Sequence, residues 1–194
     1  MSAKKTIVCF AGGTSGDLVV AMIDSLDCGY EINDHRINLT KDRSGMKKPW
    51  MFKNADEKRN YITDTFEAYD SLPSHDVDFH IGEKSENVIG ITCFDKVLRD
   101  KSASRFKNLH TSEVWDSLTK ATNTKTLDQY SNDILEVSKK LKNNFLTIDL
   151  SQIVGGNLPD LLHQMGFDIT VKSGSLYEYW LTNPLHQTFP PSIT

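Results

Sequence analysis

The glycine-rich stretch at residues 12–17 (GGTSGD) carries residue types that could hold an anion. Residues 5–10 before it end in an apolar run and predict a strand, and residues 15–28 predict a helix because their apolar positions recur at helical spacing. A turn from a parallel strand into a helix exposes backbone N–H groups at the positive end of the helix dipole. The pattern therefore predicts an anion-binding turn.

Each residue of this turn has an expected part in such a site. Glycines let a ligand approach the backbone closely, and hydroxyl side chains add hydrogen-bond donors. Asp17 falls in the first helical turn, where it would stabilise the helix and repel an anion. The glycines are Gly12, Gly13 and Gly16, and the hydroxyl residues are Thr14 and Ser15.

Two familiar nucleotide-binding motifs are missing from the turn. GxxxxGK followed by Ser or Thr is not matched, so no lysine would reach a terminal phosphate, and GxGxxG is not matched either. A dinucleotide-binding fold therefore has little support. A plainer alternative stays open, in which the glycines serve only to form the turn and Asp17 is only a helix-start charge.

A second candidate segment, residues 94–110 (FDKVLRDKSASRFKNLH), follows the buried-type strand predicted at residues 88–94. Lys96 and Ser104 are eight residues apart, and Arg105 comes next. The segment resembles the 3′-phosphate-binding region of the sulfotransferase superfamily, where a basic residue at a strand end and a helix serine eight residues later contact the nucleotide donor. Lys96 stands in place of the usual arginine and supplies a point charge rather than a bidentate fork.

The resemblance extends in order over about residues 5–183. The glycine turn resembles the loop that holds the donor's 5′-phosphosulfate, without that loop's basic residue. Residues 172–174 (KSG), followed by Trp180 and Asn183, resemble the stretch that closes over the nucleotide. The implied donor is 3′-phosphoadenosine 5′-phosphosulfate, bound without a metal ion.

In that family a histidine before the second strand acts as general base. Two histidines fall in the matching window, His75 and His80. A neutral imidazole is available at pH 7 because the ordinary pKa of histidine is about 6.5. The pair Ser74-His75 resembles the family's threonine–histidine pair, whereas His80 lies in an alternating segment at residues 76–81 that predicts a short strand. Either could instead be a surface histidine, and the other four histidines show no metal-ligand pattern.

Length and composition predict one globular domain over residues 1–194, with a loose tail at 184–194. A net charge of −4 indicates neither nucleic acid nor a membrane surface as partner, and no apolar run reaches the ~20 residues of a membrane span. Three cysteines do not suit a disulfide framework. We expect a cytoplasmic protein, and the sequence carries no signal of its oligomeric state.

Strand and helix patterns alternate along the chain, which predicts an α/β fold of the three-layer, P-loop type with a mostly parallel sheet flanked by helices. Further predicted strands lie at Ile32 or Ile37 and at residues 145–150. Further helices are predicted at residues 55–69, from 95 through Leu109, at 114–118, 127–141 and 158–165.

The resemblance implies a sulfotransferase-like enzyme that moves a sulfuryl group from the nucleotide donor to an acceptor hydroxyl or amine. One alternative is a phosphotransferase (a kinase with Asp95 near magnesium) or a glycosyltransferase that uses the turn for a sugar nucleotide. Another is a non-catalytic nucleotide-binding or assembly module. The acceptor is not encoded in any recognisable motif, including residues 30–53 and 111–126.

Overall fold

The computed structural model describes most of the chain from the first predicted strand to the last helix. The described residues are 4–24, 30–33, 36–39, 52–75, 77, 85–109, 126–141 and 144–182. Within these ranges, no helix combines the length and the apolar character needed to cross a lipid bilayer.

Four parallel strands form the central sheet, and two more form a separate antiparallel hairpin. In chain order the strands are β1 (Thr6–Cys9), β2 (Tyr30–Asn33), β3 (Arg36–Leu39), β4 (Ser71–Ser74), β5 (Asn87–Thr92) and β6 (Asn144–Asp149). The central sheet has the order β4-β1-β5-β6, and β2 pairs with β3. β1 is thus an inner strand, and Ile7 lies between Leu72 of β4 and Val88 of β5.

Seven helices are present in the described ranges. They are α1 (Gly16–Ile23), α2 (Ala55–Ala68), α3 (Lys96–Leu109), α4 (Leu127–Lys140), α5 (Leu150–Val154), α6 (Leu158–Gln164) and α7 (Val171–Thr182). Side-chain caps set several of their starts. Thr126 and Gln129 form a capping box at α4, and Asp149 and Gln152 form another at α5, so β6 passes directly into a helix.

The two faces of the sheet bury different apolar clusters. On one face Val8 and Ile89 pack with α1, α5, α6 and α7, and on the other Ile7 and Val88 pack with α2. Hydrogen bonds reinforce the first layer: Ser173 Oγ donates to the Met22 carbonyl at 3.2 Å and so ties α7 to α1. Helices therefore cover both faces of a parallel sheet, and the predicted three-layer α/β architecture is confirmed.

Most predicted elements occur where the patterns placed them, with ends that shift by a few residues. The structure adds three that the patterns did not reveal, namely β4, α5 and α7, and places strands at both Ile32 and Ile37. β4 has the sequence SLPS, and proline is depleted from strands. It is the outer strand of the described sheet, a position that tolerates proline. Of the strand predicted at residues 76–81, only Val77 is described, and the helix at 114–118 lies outside the described residues.

Gly90, in the middle of β5, lets α4 approach the sheet closely. A Cβ atom at this position would lie 2.4 Å from Ile134 Cγ2 and 2.9 Å from Phe145 Cε1. Real Cβ contacts are never so short, so an added methyl group would push α4 and β6 outward.

We predict that Gly90→Ala lowers the free energy of unfolding by about 1–3 kcal/mol, the usual cost of overpacking a core. Urea denaturation followed by circular dichroism measures it. Gly174→Ala in α7 is the matched control, because no atom lies within 4 Å of its added Cβ. The free energy of unfolding of that variant should rise by about 0.5–1 kcal/mol, because alanine has a higher helix propensity than glycine. Equal effects at both positions would contradict the close approach at Gly90.

Candidate functional site

The strand order predicts a ligand-binding crevice at the carboxyl ends of β1 and β5. From β1 the chain proceeds to β4 on one side, whereas from β5 it proceeds to β6 on the other. In open parallel sheets, ligands bind where neighbouring connections diverge in this way. The glycine turn follows β1 and Lys96 follows β5, so both segments leave the sheet at this edge.

The glycine turn joins β1 to α1, as the sequence predicted. α1 begins at Gly16, and Ser15 is its N-cap residue. Gly13 has a φ of 85° and Ser15 a φ of 65°, so both lie in the left-handed region. Ser15 is the one non-glycine residue with a positive φ among those described. Alternation of left- and right-handed residues turns successive N–H groups toward one point, which is how phosphate-binding backbone nests form.

Two residues of the turn have clear packing roles. Thr14 is 1% exposed, and its Oγ1 donates to the Ala11 carbonyl at 2.7 Å. A Cβ on Gly16 would lie 2.1 Å from the ring of Phe10, so only glycine fits there. We therefore assign the Thr14 hydroxyl to the structure of the turn rather than to an anion. Two backbone N–H groups here already have acceptors, since the Thr14 N–H donates to the Ala11 carbonyl at 3.2 Å and the Leu18 N–H to the Ser15 carbonyl at 3.1 Å. The candidate anion donors are the other backbone N–H groups at the start of α1.

The other side chains of the turn are partly exposed. Gly12, Gly13, Ser15 and Asp17 are neither fully buried nor fully exposed. The Ser15 side chain makes no capping hydrogen bond to α1. Asp17 lies in the first turn of α1, where its carboxylate interacts favourably with the helix dipole and opposes a bound anion.

His75 lies directly after β4 and contacts the residue that precedes the turn. Its Nδ1 is 2.6 Å from the Phe10 carbonyl oxygen, and the two rings meet edge to face with centroids 4.8 Å apart. A carbonyl oxygen only accepts, so Nδ1 carries the proton. In the neutral ring the lone pair is then on Nε2, the tautomer that a base acting through Nε2 requires. His80 lies outside the described residues.

On the other side of β1, Lys96 is the first residue of α3 and is exposed. Ser104 is also exposed, but it lies eight residues further along the same helix, about 12 Å along the axis at ~1.5 Å per residue. Arg105 belongs to α3, and its side chain is outside the described residues. Lys96 therefore lies just beyond the carboxyl end of β5, and Ser104 lies about two helical turns further along α3.

Trp180 belongs to α7 and to the core. Its side chain is 3% exposed, and its ring stacks on Tyr177 with centroids 6.2 Å apart. Ser173, from the KSG stretch, is buried and holds α7 on α1. Trp180 is thus part of the core, and its contact with a nucleotide stays a prediction.

Three residues at the edge formed by β5 and β6 have mainly structural roles. Asp95 Oδ1 accepts from the Leu98 N–H at 2.8 Å at the start of α3. Asp149 caps α5 through Oδ1, and its Oδ2 accepts from the Phe94 N–H at 3.3 Å. Burial raises the pKa of the Cys93 thiol to about 12, and the nearby Asp149 carboxylate adds to the rise.

In the described ranges, no three histidine, cysteine, aspartate or glutamate side chains cluster as a metal site would require. No family model, curated protein or solved structure matches the chain.

One contact at the site had no signal in the sequence. The Phe10 carbonyl positions the His75 ring, yet the two residues are 65 positions apart and one partner is a backbone atom. Neither residue type nor spacing reveals such a pairing.

The left-handed conformation of Ser15 leads to a prediction about stability. Ser15→Gly should be about 1 kcal/mol more stable than Ser15→Ala, because both variants lose the hydroxyl but only alanine keeps the cost of a positive φ. Urea denaturation of both variants measures the difference. Ser175, exposed in α7, provides the control pair, for which helix propensity predicts the opposite order. A more stable alanine variant at both positions would contradict the left-handed conformation.

The raised pKa of Cys93 predicts low reactivity in the folded state. Alkylation requires the thiolate, so iodoacetamide at pH 8 should modify Cys93 only after unfolding in urea. Because the fold favours the neutral thiol, its contribution to stability is full below pH 9.0 and declines as the pH rises toward about 12. Peptide mapping by mass spectrometry gives the extent of modification. Equal labelling of folded and unfolded protein would contradict the burial.

Proposed function

We propose that this protein is a sulfotransferase-like enzyme that binds 3′-phosphoadenosine 5′-phosphosulfate at the carboxyl edge of its sheet. The sulfuryl group would pass to an acceptor hydroxyl or amine. The observation that carries the proposal is the His75 ring, held by the Phe10 carbonyl next to a turn whose backbone can receive an anion.

His75 would act as the general base. As an acceptor oxygen attacks sulfur, its proton moves to Nε2 of the ring, while Nδ1 keeps its own proton in the hydrogen bond to the Phe10 carbonyl. The new oxygen–sulfur bond forms, and the bond from sulfur to the 5′-phosphate oxygen breaks and leaves adenosine 3′,5′-bisphosphate. The imidazolium then returns its proton to solvent, so the enzyme is unchanged after each turnover.

The turn would stabilise the charge of the group in transfer. N–H groups at the start of α1 and the helix dipole favour negative oxygens there, and such preorganised donors are worth most where water is excluded. Lys96, the first residue of α3 after β5, would supply a formal positive charge near the donor. Its point charge suits the 3′-phosphate of the donor.

A non-catalytic nucleotide-binding or assembly module is the second candidate. The packing roles of Gly16 and Thr14 favour it, because they explain part of the turn without any ligand. In the kinase alternative, Asp95 would hold magnesium, yet one of its oxygens already caps α3.

Thermal-shift measurements separate the candidates. Adenosine 3′,5′-bisphosphate should raise the melting temperature, whereas ATP with magnesium and UDP-sugars should have smaller effects. Stabilisation by ATP with magnesium alone would favour the phosphotransferase, and stabilisation by a UDP-sugar alone would favour the glycosyltransferase. No response to any of the three would favour an assembly role.

Two substitutions of His75 test its role as base. His75→Ala should lower turnover by about 10²–10⁴-fold, the usual worth of general acid–base catalysis, and leave nucleotide binding nearly unchanged. His75→Asn places an amide N–H where Nδ1 was and can keep the bond to the Phe10 carbonyl, but it cannot accept a proton.

The asparagine variant distinguishes a base from a structural residue. If His75 is the base, His75→Asn should be folded and as inactive as His75→Ala. Sulfate transfer to a panel of phenolic and alcoholic acceptors, with urea denaturation alongside, gives both readouts. Full transfer by His75→Asn would show that the ring only supports the turn.

A further inference from the structure

An exposed aromatic side chain follows the carboxyl end of β5. Phe94 follows β5 by two residues and is 45% exposed, and Val97 in the first turn of α3 is 55% exposed. These two account for half of the large hydrophobic side chains that are exposed in the described ranges, the others being Val171 and Tyr179 of α7. Exposed apolar side chains gathered at a candidate site indicate a contact surface more strongly than isolated ones do.

The backbone that carries Phe94 is held on both sides. The Phe94 N–H donates to Asp149 Oδ2 at 3.3 Å, and the preceding Cys93 N–H donates to Ser131 Oγ at 2.9 Å. On the other side, Asp95 caps α3 through the Leu98 N–H. An aromatic ring on a fixed backbone loses little entropy when a ligand packs on it, which is the advantage of preorganisation.

The position of His75 indicates which part of a ligand reaches Phe94. His75 follows β4 and Phe94 follows β5, so they lie on opposite sides of the β1 turn, each one strand spacing of about 4.8 Å across the sheet from β1. Attacking and leaving groups lie roughly in line in group transfer. An acceptor activated by His75 therefore occupies the β4 side, and the leaving nucleotide occupies the β5 side.

We infer that Phe94 is the contact for the nucleobase of the bound nucleotide, with Lys96 beside it for a phosphate. The inference rests on the proposed function, because it uses His75 to define the acceptor side. The combination of a cation and an exposed aromatic ring suits a ligand that carries both phosphate and a planar base. Phe94 therefore contributes to nucleotide affinity and not to the chemical step.

Calorimetric titration with two ligands tests the assignment. Phe94→Ala should weaken binding of adenosine 3′,5′-bisphosphate roughly 5- to 100-fold, the usual effect of removing an aromatic partner from a base. Binding of ribose 3,5-bisphosphate, which has no base, should not change. Phe94→Tyr should keep the affinity. Val171→Ala is the control, since it removes another exposed hydrophobic side chain, 89% exposed, from α7.

The outcomes separate this inference from the proposed function. Unchanged nucleotide affinity in Phe94→Ala, with wild-type protein still binding and transferring, would overturn the inference alone. A raised KM for the acceptor with unchanged nucleotide affinity would overturn it too and would assign Phe94 to the acceptor. No nucleotide binding by the wild type would overturn both. If Phe94→Ala fails to fold, Phe94→Leu keeps the apolar bulk, and a weakened affinity is still expected.

Discussion

The packing of the Phe10 ring against Gly16 is the contact on which the edge of the sheet depends. A Cβ on Gly16 would overlap that ring, so the contact requires glycine at the first residue of α1. The ring of the same phenylalanine meets the His75 ring edge to face, and its carbonyl accepts a hydrogen bond from His75 Nδ1. One residue thus links the end of β1, the start of α1 and the end of β4.

This arrangement explains how the site can be rigid although it lies on loops. The backbone after β1 is fixed by the Thr14 hydroxyl, and the backbone after β5 by Ser131 and Asp149. Thr14 belongs to the turn itself, Ser131 to α4 and Asp149 to the end of β6. Groups held in this way need little reorganisation when a charged ligand arrives, which is the condition for electrostatic stabilisation of a transition state.

The sequence predicted elements of the fold well where a residue pattern within the element itself determines its structure. The strand at residues 87–92 followed from a continuous apolar run, and the start of α1 followed from glycines next to an apolar helical pattern. β4 was missed because a four-residue strand with a proline has no periodicity to detect. α7 was missed because its residues pack on several elements, so its apolar positions follow no simple stripe.

At the candidate site, too, the sequence predicted positions that depend on neighbouring residues and missed contacts between distant ones. The glycine turn and Lys96 could be placed from nearby residues alone, since each follows a recognisable strand. The burial of Trp180 could not be predicted, because it depends in part on packing with α1, which lies near the other end of the chain. The orientation of the His75 ring could not be predicted either, because it depends on the backbone carbonyl of Phe10. The roles of these residues in binding and transfer stay predictions.

The proline in β4 also bears on how copies of this chain meet one another. The Thr6 N–H bonds to the Asp70 carbonyl and the Phe10 N–H to the Ser74 carbonyl, so alternate residues of β4 face β1 and Pro73 faces the outer edge. Proline has no N–H to offer there. A strand from a second copy could not form a complete ladder along this side of the described sheet, so Pro73 protects that edge against edge-to-edge aggregation.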